Sequence, residues 1–277
     1  MRRIPLFLMA VLLCTAIVPQ ALAATAGEIS PMDSQPGPNV TVHYDYFLDG
    51  RPGTLPLNLS TKLYGDYLGK KSRGTYDNAS YFQNFLDDPD EKPYVKTLAS
   101  ESRAETRDPD DQARIAISLV QHIPYLWGSP TRYPYEVLYE RSGVCQEKSI
   151  LLAALLRELG FNSSLMYFVR ENHMTVGIAC PEAYDFQDSG YCLVETTNVV
   201  IITDNTSYAI SGRVWSNPEI YLTSDGRSLE SANIEYYDAR TWIMMQLKSK
   251  AAREDGTTLS LVDNQSWYRL QAKYDLN

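Results

Sequence analysis

The segment from residue 145 to residue 160 constrains the fold more than any other part of the chain. Leucines recur there at four-residue intervals, with further leucines beside them: Leu151, Leu152, Leu155, Leu156 and Leu159. Gly160 follows the last of these leucines. This spacing predicts a helix with a buried face, and glycine commonly ends a helix. A chain of 277 residues is long enough to bury that helix in one large domain.

The apolar patterns on either side of this helix predict an α+β fold. Upstream, helices are predicted near 93–104, after 109 and over 134–140. Downstream, strands are predicted at 165–169, 174–179 and 193–197, and 199–203 is a further candidate. Helices followed by antiparallel strands are typical of α+β domains, in which the central helix packs on an antiparallel sheet.

The first residues predict a secretory signal peptide over 1–23. Arg2 and Arg3 precede an apolar stretch, and Ala21-Leu22-Ala23 is a small-residue cleavage pattern. The alternative is an uncleaved membrane anchor, although the stretch is short against the roughly 20 residues of a spanning helix. No later segment is apolar enough to span a bilayer, so we expect a secreted or extracytoplasmic protein.

The remaining chain divides by composition and pattern into four further segments. We expect a flexible mature N-terminus over 24–38, which is rich in Ser, Pro and Gly. An N-terminal β/α extension over 39–88 follows, and it opens with a hairpin around Asp49-Gly50. The core spans 89–210, and 211–277 forms the C-terminal part of the same domain.

The charge balance argues against nucleic acid or an anionic membrane as a partner. The formal charge is −9, and removal of Arg2 and Arg3 makes it −11 because residues 1–23 contain no acid. The chain also lacks a basic cluster. If the host glycosylates exported proteins, six Asn-X-Ser/Thr sequons predict surface glycans: Asn39, Asn58, Asn78, Asn162, Asn205 and Asn264.

Three cysteines remain after removal of the signal. Cys180 and Cys192 flank a loop-like segment between two predicted strands, and cysteines at the base of a hairpin loop can meet at disulfide distance. An oxidising compartment favours a structural disulfide. The alternatives are two independent thiols or one cysteine pairing elsewhere. Cys145 is left without an obvious partner, so it is either a liability or a working thiol.

Cys145 lies where a Gly-containing turn leads into the leucine-rich helix. A helix N-terminus has free N–H groups and a partial positive charge, which lower the pKa of a thiol there. The same groups can stabilise an oxyanion on an attacked carbonyl. The alternative for a free cysteine is a small buried apolar side chain.

His173 and Glu195 follow Cys145 in an order that suits a catalytic triad. His173 opens a predicted strand that can pack near the helix N-terminus, where its imidazole would take and return the thiol proton. Glu195, on the next predicted strand, would orient the imidazole and stabilise imidazolium. Taken alone, His173 would be a structural or surface residue and Glu195 a solvated one. Their order after Cys145 supports all three assignments together.

Three blocks of sequence resemble the transglutaminase-like superfamily: RSGVCQEKSILLAALLRELG at 141–160, NHMTVG at 172–177 and YCLVETT at 191–197. Upstream, VQHIPY at 120–125 and YPYE at 133–136 resemble exported archaeal members. The similarity covers about residues 90–205. It implies a papain-like α+β core and acyl transfer through a thioester. By motif position it assigns the triad to Cys145, His173 and Glu195.

Two departures from the family pattern limit what the resemblance implies. The third triad member is often Asp, and Glu195 is longer. Cys145 is followed by Gln146 and not by the Trp of animal transglutaminases, which weakens a claim of protein cross-linking. No calcium-loop pattern is visible, so we expect no metal and no cofactor. Gln121 or Tyr125 is a candidate second oxyanion donor; the alternatives are a capping or solvent-facing Gln121 and a core-packed Tyr125.

The sequence therefore predicts an exported cysteine-dependent acyl-transfer enzyme that acts on amide or isopeptide bonds of a polypeptide or cell-surface substrate. Because water is abundant, peptidase-like hydrolysis is favoured over transamidation. The alternative is a surface binding or adhesion module that keeps the fold without turnover, with which the 20 tyrosines are compatible. No oligomeric state is predicted.

Overall fold

The computed structural model describes residues 38–70, 79–126, 131–205 and 215–276. The predicted signal peptide, the predicted flexible segment up to residue 37 and the sequon at Asn78 lie outside these ranges. In the described residues the helices are α1 (Thr61–Gly69), α2 (Ala79–Leu86), α3 (Lys92–Glu105), α4 (Pro109–His122), α5 (Pro134–Glu140), α6 (Cys145–Leu159), α7 (Asn233–Glu254) and α8 (Leu261–Tyr274). The strands are β1 (Val40–Leu48), β2 (Arg51–Leu59), β3 (Ser163–Phe168), β4 (His173–Ala179), β5 (Tyr191–Val194) and β6 (Glu219–Ser224).

Helix α6 is the centre of the core and packs on an antiparallel sheet of order β5-β4-β3-β6. Its apolar residues from Ile150 to Leu156 are buried, because α3 and α4 cover the side away from the sheet. Gly160 ends α6 with a positive φ of 85°, and its N–H bonds to carbonyls of the last turn. The predicted helix and the α+β architecture are confirmed.

The N-terminal hairpin packs onto the same core. Its turn at Asp49-Gly50 has positive φ angles of 49° and 80°, which suit these two residue types. Strand β1 is tied to the helices by the Phe47 N–H, which donates to Ser118 Oγ at 2.8 Å, and by the Tyr44 hydroxyl, which donates to the Leu138 carbonyl at 2.7 Å. The extension is therefore packed against the core, and the exact domain limits stay predictions.

Some local expectations were wrong or incomplete. Residues 199–203 do not form a strand; the Thr203 N–H bonds to Leu193 O, whereas Val200 O accepts from a side chain of α4. Helices α1 and α2 lie in the predicted β/α extension, but no bounds were predicted for them or for α8. The sequence also predicts a helix over 239–248, and α7 extends beyond this range at both ends. Helices α7 and α8 stabilise each other through tertiary contacts, among them Trp242 against Trp267 with ring centroids 4.5 Å apart.

Cys180 and Cys192 form the expected disulfide, with Cα atoms 5.7 Å apart, across the loop that joins β4 to β5. Among the described residues, no helix combines the length and apolar character needed to cross a bilayer.

Candidate active site

The turn before α6 is built so that Cys145 is the first residue of the helix. The Gly143 N–H donates to the Pro124 carbonyl at 3.1 Å, and the Leu126 N–H donates to the Gly143 carbonyl at 3.2 Å. The 124–126 segment is therefore hydrogen-bonded along the turn. The thiol of Cys145 is half-buried, and it is the free cysteine of the described residues.

A buried ion pair supports this turn from behind. Glu147, whose exposed fraction is 0%, accepts the Val144 N–H at 3.0 Å. Its carboxylate also binds Arg132 through Nη2 at 2.7 Å and through the backbone N–H at 2.8 Å. A buried carboxylate with this many donors is compensated for its lost hydration. This pair is not visible in the sequence, because residue 132 lies in a loop that only the fold brings to α6.

The thiol of Cys145 lies beside the imidazole of His173. Burial disfavours ionisation of the thiol. However, hydrogen bonds from the His173 imidazole and from the backbone N–H groups of Met174 and Gln146 outweigh burial and lower the pKa of Cys145. The sulfur is therefore in an environment that favours the thiolate at the positive end of α6.

The second nitrogen of the imidazole faces a carboxylate. His173 Nε2 lies 2.8 Å from Glu195 Oε2, which leaves Nδ1 for the thiol. Burial alone would lower the pKa of His173, but its contacts with Cys145 and Glu195 raise it to about 10. A lowered thiol pKa and a raised imidazole pKa both favour the thiolate–imidazolium form of the pair.

Glu195 is held by donors on its other oxygen. Oε1 accepts the Thr197 hydroxyl at 2.7 Å, the Thr197 N–H at 2.8 Å and the Thr196 N–H at 2.9 Å. Burial raises the pKa of Glu195, but His173 and Thr197 outweigh it and lower the pKa. We expected Glu195 to lie within a strand. In the structure it follows Val194, the last residue of β5, and is outside the strand. The two threonines were not singled out, although their position directly after the acid is visible in the sequence.

Gln121 is a structural residue in this site. Its side-chain amide donates to the Glu195 carbonyl at 2.9 Å and to the Val200 carbonyl at 3.0 Å. Both hydrogens of Nε2 are thereby engaged. These bonds tie α4 to the backbone of the acid. The oxyanion role considered for Gln121 stays a prediction.

Tyr125 lies at the edge of the site, paired through its backbone with Gly143. Its exposed fraction of 40% contradicts the alternative of core packing. Burial of the phenol and the negative charges of Cys145 and Glu147 raise the pKa of Tyr125, so the phenol keeps its proton. Its role as an oxyanion donor stays a prediction.

Trp215 was not anticipated at this site. Its ring lies against the imidazole of His173, with centroids 5.4 Å apart, and against Phe168 at 4.4 Å. The following residue is anchored, because Ser216 donates its N–H and hydroxyl to the Glu171 carboxylate at 3.1 and 2.6 Å. Trp215 is 42 positions from His173 in the sequence, so only the tertiary structure reveals this contact.

The described ranges contain no group of three or more His, Cys, Asp or Glu side chains that could hold a metal ion. Cys145, His173 and Glu195 are instead engaged with one another.

Comparison with known proteins finds similarity over the part of the chain that carries this site. Residues 96–198 match the model of the transglutaminase-like superfamily, and this range includes Cys145, His173 and Glu195. None of the curated proteins compared with the chain matches it significantly. A crystal structure of a candidate cysteine protease from Cytophaga hutchinsonii aligns at 18% identity and a TM-score of 0.30, over 50% of this chain and 46% of that one. The described architecture and the superfamily match agree with the transglutaminase-like α+β fold class expected from the sequence.

Proposed function

We propose that the protein is an exported cysteine-dependent acyl-transfer enzyme that cleaves amide or isopeptide bonds through a thioester on Cys145. The observation that carries the proposal is the continuous contact from thiol to imidazole to carboxylate among Cys145, His173 and Glu195. The superfamily match over the same residues supports it.

The chemistry follows from the charge states of the pair. The Cys145 thiolate attacks the carbonyl carbon of the amide, and free N–H groups at the start of α6 stabilise the oxyanion. As the C–N bond breaks, the His173 imidazolium gives its proton to the leaving amine. Water then attacks the thioester, His173 accepts a proton from that water, and the carboxylic acid product leaves with the thiolate restored.

Glu195 keeps His173 in the orientation and charge state that both steps need. Its bond to Nε2 directs Nδ1 toward the sulfur, and its negative charge stabilises imidazolium. If an amine replaces water in the second step, the same residues perform transamidation. We infer hydrolysis because water is the abundant acceptor, with a polypeptide or cell-surface amide as substrate.

The extracytoplasmic location belongs to this proposal. Disulfides persist in oxidising compartments, and Cys180 and Cys192 form one across the loop that joins β4 to β5. The predicted signal peptide over 1–23 is consistent with the same location.

The test measures the reactivity and the turnover of Cys145. Iodoacetamide should alkylate the wild-type thiol rapidly well below the pKa of about 8.5 of a free cysteine. Peptide and acyl-glutamine libraries should be turned over by the wild type and not by Cys145→Ala, whose melting temperature should be unchanged. An ordinary thiol titration without turnover would contradict the proposal and favour a catalytically silent binding or adhesion module.

A further inference from the structure

Lys148 is a completely buried lysine three residues after the nucleophile, with an exposed fraction of 0%. Its ammonium has no carboxylate bonded to it among the residues that the structure describes. Instead Nζ donates to the Ile123 carbonyl at 2.5 Å and to the Gln121 carbonyl at 3.4 Å. Burying a charge without a bonded counter-ion is costly, so a lysine in this position calls for a function.

The two carbonyls belong to the end of α4. Helix α4 ends at His122, and the last carbonyls of a helix have no partner within it. An ammonium group there satisfies them and is favoured by the negative end of the helix dipole. Lys148 thus holds α4 at the point where the chain turns into the 124–126 segment that bonds to the nucleophile turn.

The same contact leads to the triad. Gln121, whose carbonyl Lys148 binds, donates its side-chain amide to the backbone carbonyl of Glu195. The Glu195 carboxylate is also the charged group that acts on Lys148 across the core. The neighbouring acid on α6, Glu147, is engaged with Arg132. Lys148 therefore bonds to two carbonyls at the end of α4, and the charge of the triad carboxylate acts on it.

We propose that Lys148 is a positioning residue, whose charged ammonium fixes the end of α4 so that Gln121 holds the Glu195 segment and so that Glu195 stays ionised. The proposal rests on the proposed function, because the groups that Lys148 positions are the triad. Its action on the thiol runs through Glu195 and His173, since an ionised Glu195 favours imidazolium and imidazolium favours the thiolate.

The proposal has a pH signature. Burial lowers the pKa of Lys148 to about 8, although the charge of Glu195 opposes this shift. Above that pH the amine is neutral, and hydrogen bonds from a neutral donor are roughly half as strong as charge-assisted ones. At high pH the wild type should therefore behave like a variant that has no charge at position 148.

The test compares Lys148→Met with a matched control on the same helix. Methionine keeps the apolar stem and removes the charge. Arg157→Met also removes a cation of α6. The Arg157 guanidinium donates to the carbonyl of Leu86, at the end of α2, and to the carboxylate of Asp87 at 2.9 Å. Arg157 lies 12 positions from Cys145 along α6, about 18 Å at 1.5 Å per residue.

The measurement is the rate of alkylation of Cys145 by iodoacetamide from pH 5.5 to pH 9.5. At pH 6 we expect Lys148→Met to react about tenfold more slowly than wild type, the change in thiolate population that one pKa unit makes. The ratio of the wild-type alkylation rate to that of Lys148→Met should approach one above pH 9. Arg157→Met should match wild type at every pH, whatever happens to its melting temperature.

Equal alkylation rates of wild type and Lys148→Met at pH 6 would overturn the role of Lys148. A rate deficit of Lys148→Met that is constant across the pH range would also overturn it. If Lys148→Met does not fold, the ¹³C NMR titration of the wild-type Lys148 side chain decides. Its midpoint should fall in Glu195→Gln, and a midpoint indifferent to Glu195 overturns the proposal. A wild-type thiol that titrates like free cysteine would refute the acyl-transfer function itself, whereas an activated thiol indifferent to Lys148→Met would overturn only this inference.

Discussion

The exchange Glu195→Gln tests the most specific part of the site, because the structure determines how the new amide must lie. The three donors from Thr196 and Thr197 surround Oε1, so the carbonyl oxygen of glutamine has to occupy that place. The NH₂ group then faces His173 Nε2 at the present contact distance of 2.8 Å. Two donors cannot share this contact, so Nε2 must become an acceptor.

The consequence is a change of tautomer. The imidazole proton moves to Nδ1, the nitrogen next to Cys145, and that nitrogen can no longer accept the thiol proton. In serine proteases a wrong tautomer of this kind lowers kcat by about 10⁴. We expect a loss of about 10³ or more here, which corresponds to at least ~4 kcal/mol in the activation barrier. The free energy of unfolding should fall by only ~1.5–3 kcal/mol, the value of one hydrogen bond to a charged group.

The assay is turnover of an acyl peptide, together with iodoacetamide alkylation against pH and urea unfolding. Glu235→Gln is a matched control, since Glu235 is also a buried acid and bonds to Arg114 Nε at 2.6 Å outside the site. The control should lose stability and keep its rate. If Glu195→Gln keeps more than about a tenth of the wild-type rate with an unchanged pH profile, Glu195 does not set the tautomer of His173 and the reasoning fails.

Three further predictions concern the disulfide, Trp215 and His173. Replacing Cys180 and Cys192 together by Ser should lower the free energy of unfolding by ~3 kcal/mol in a urea titration, because the disulfide closes a loop of sequence separation 12. Trp215→Ala should destabilise the protein by ~3–5 kcal/mol and slow alkylation of Cys145 at pH 6, since the ring covers His173; unchanged alkylation would show that the ring only fills space. Because the pKa of His173 is raised from 6.5 to about 10, its contribution to stability is fully present below pH 6.5 and is lost as pH rises toward 10. Urea unfolding of wild type and His173→Gln should therefore converge between those pH values, and a constant difference would contradict the raised pKa.

Local patterns predicted the parts of the fold that depend on near neighbours. The leucine spacing of α6 and the glycine after it indicate a buried helix and its end, because side chains four residues apart lie on one face. The Cys180–Cys192 disulfide was predicted because both residues flank one loop. In contrast, the helices α1 and α8 have weak apolar patterns and are stabilised by long-range contacts such as Tyr64 stacked on Tyr139 at 4.0 Å and Trp242 on Trp267.

By itself, the sequence determined the order Cys145, His173, Glu195, the helix that begins at the nucleophile and the class of chemistry that these residue types allow. Only the tertiary structure decided what each of them touches. It showed that the side-chain amide of Gln121 donates to two backbone carbonyls and that the ring of Trp215 lies against the imidazole of His173. The reason is physical: hydrogen bonds and ring contacts act over a few ångströms in space, and the folded path that brings distant positions together depends on the packing of the whole core.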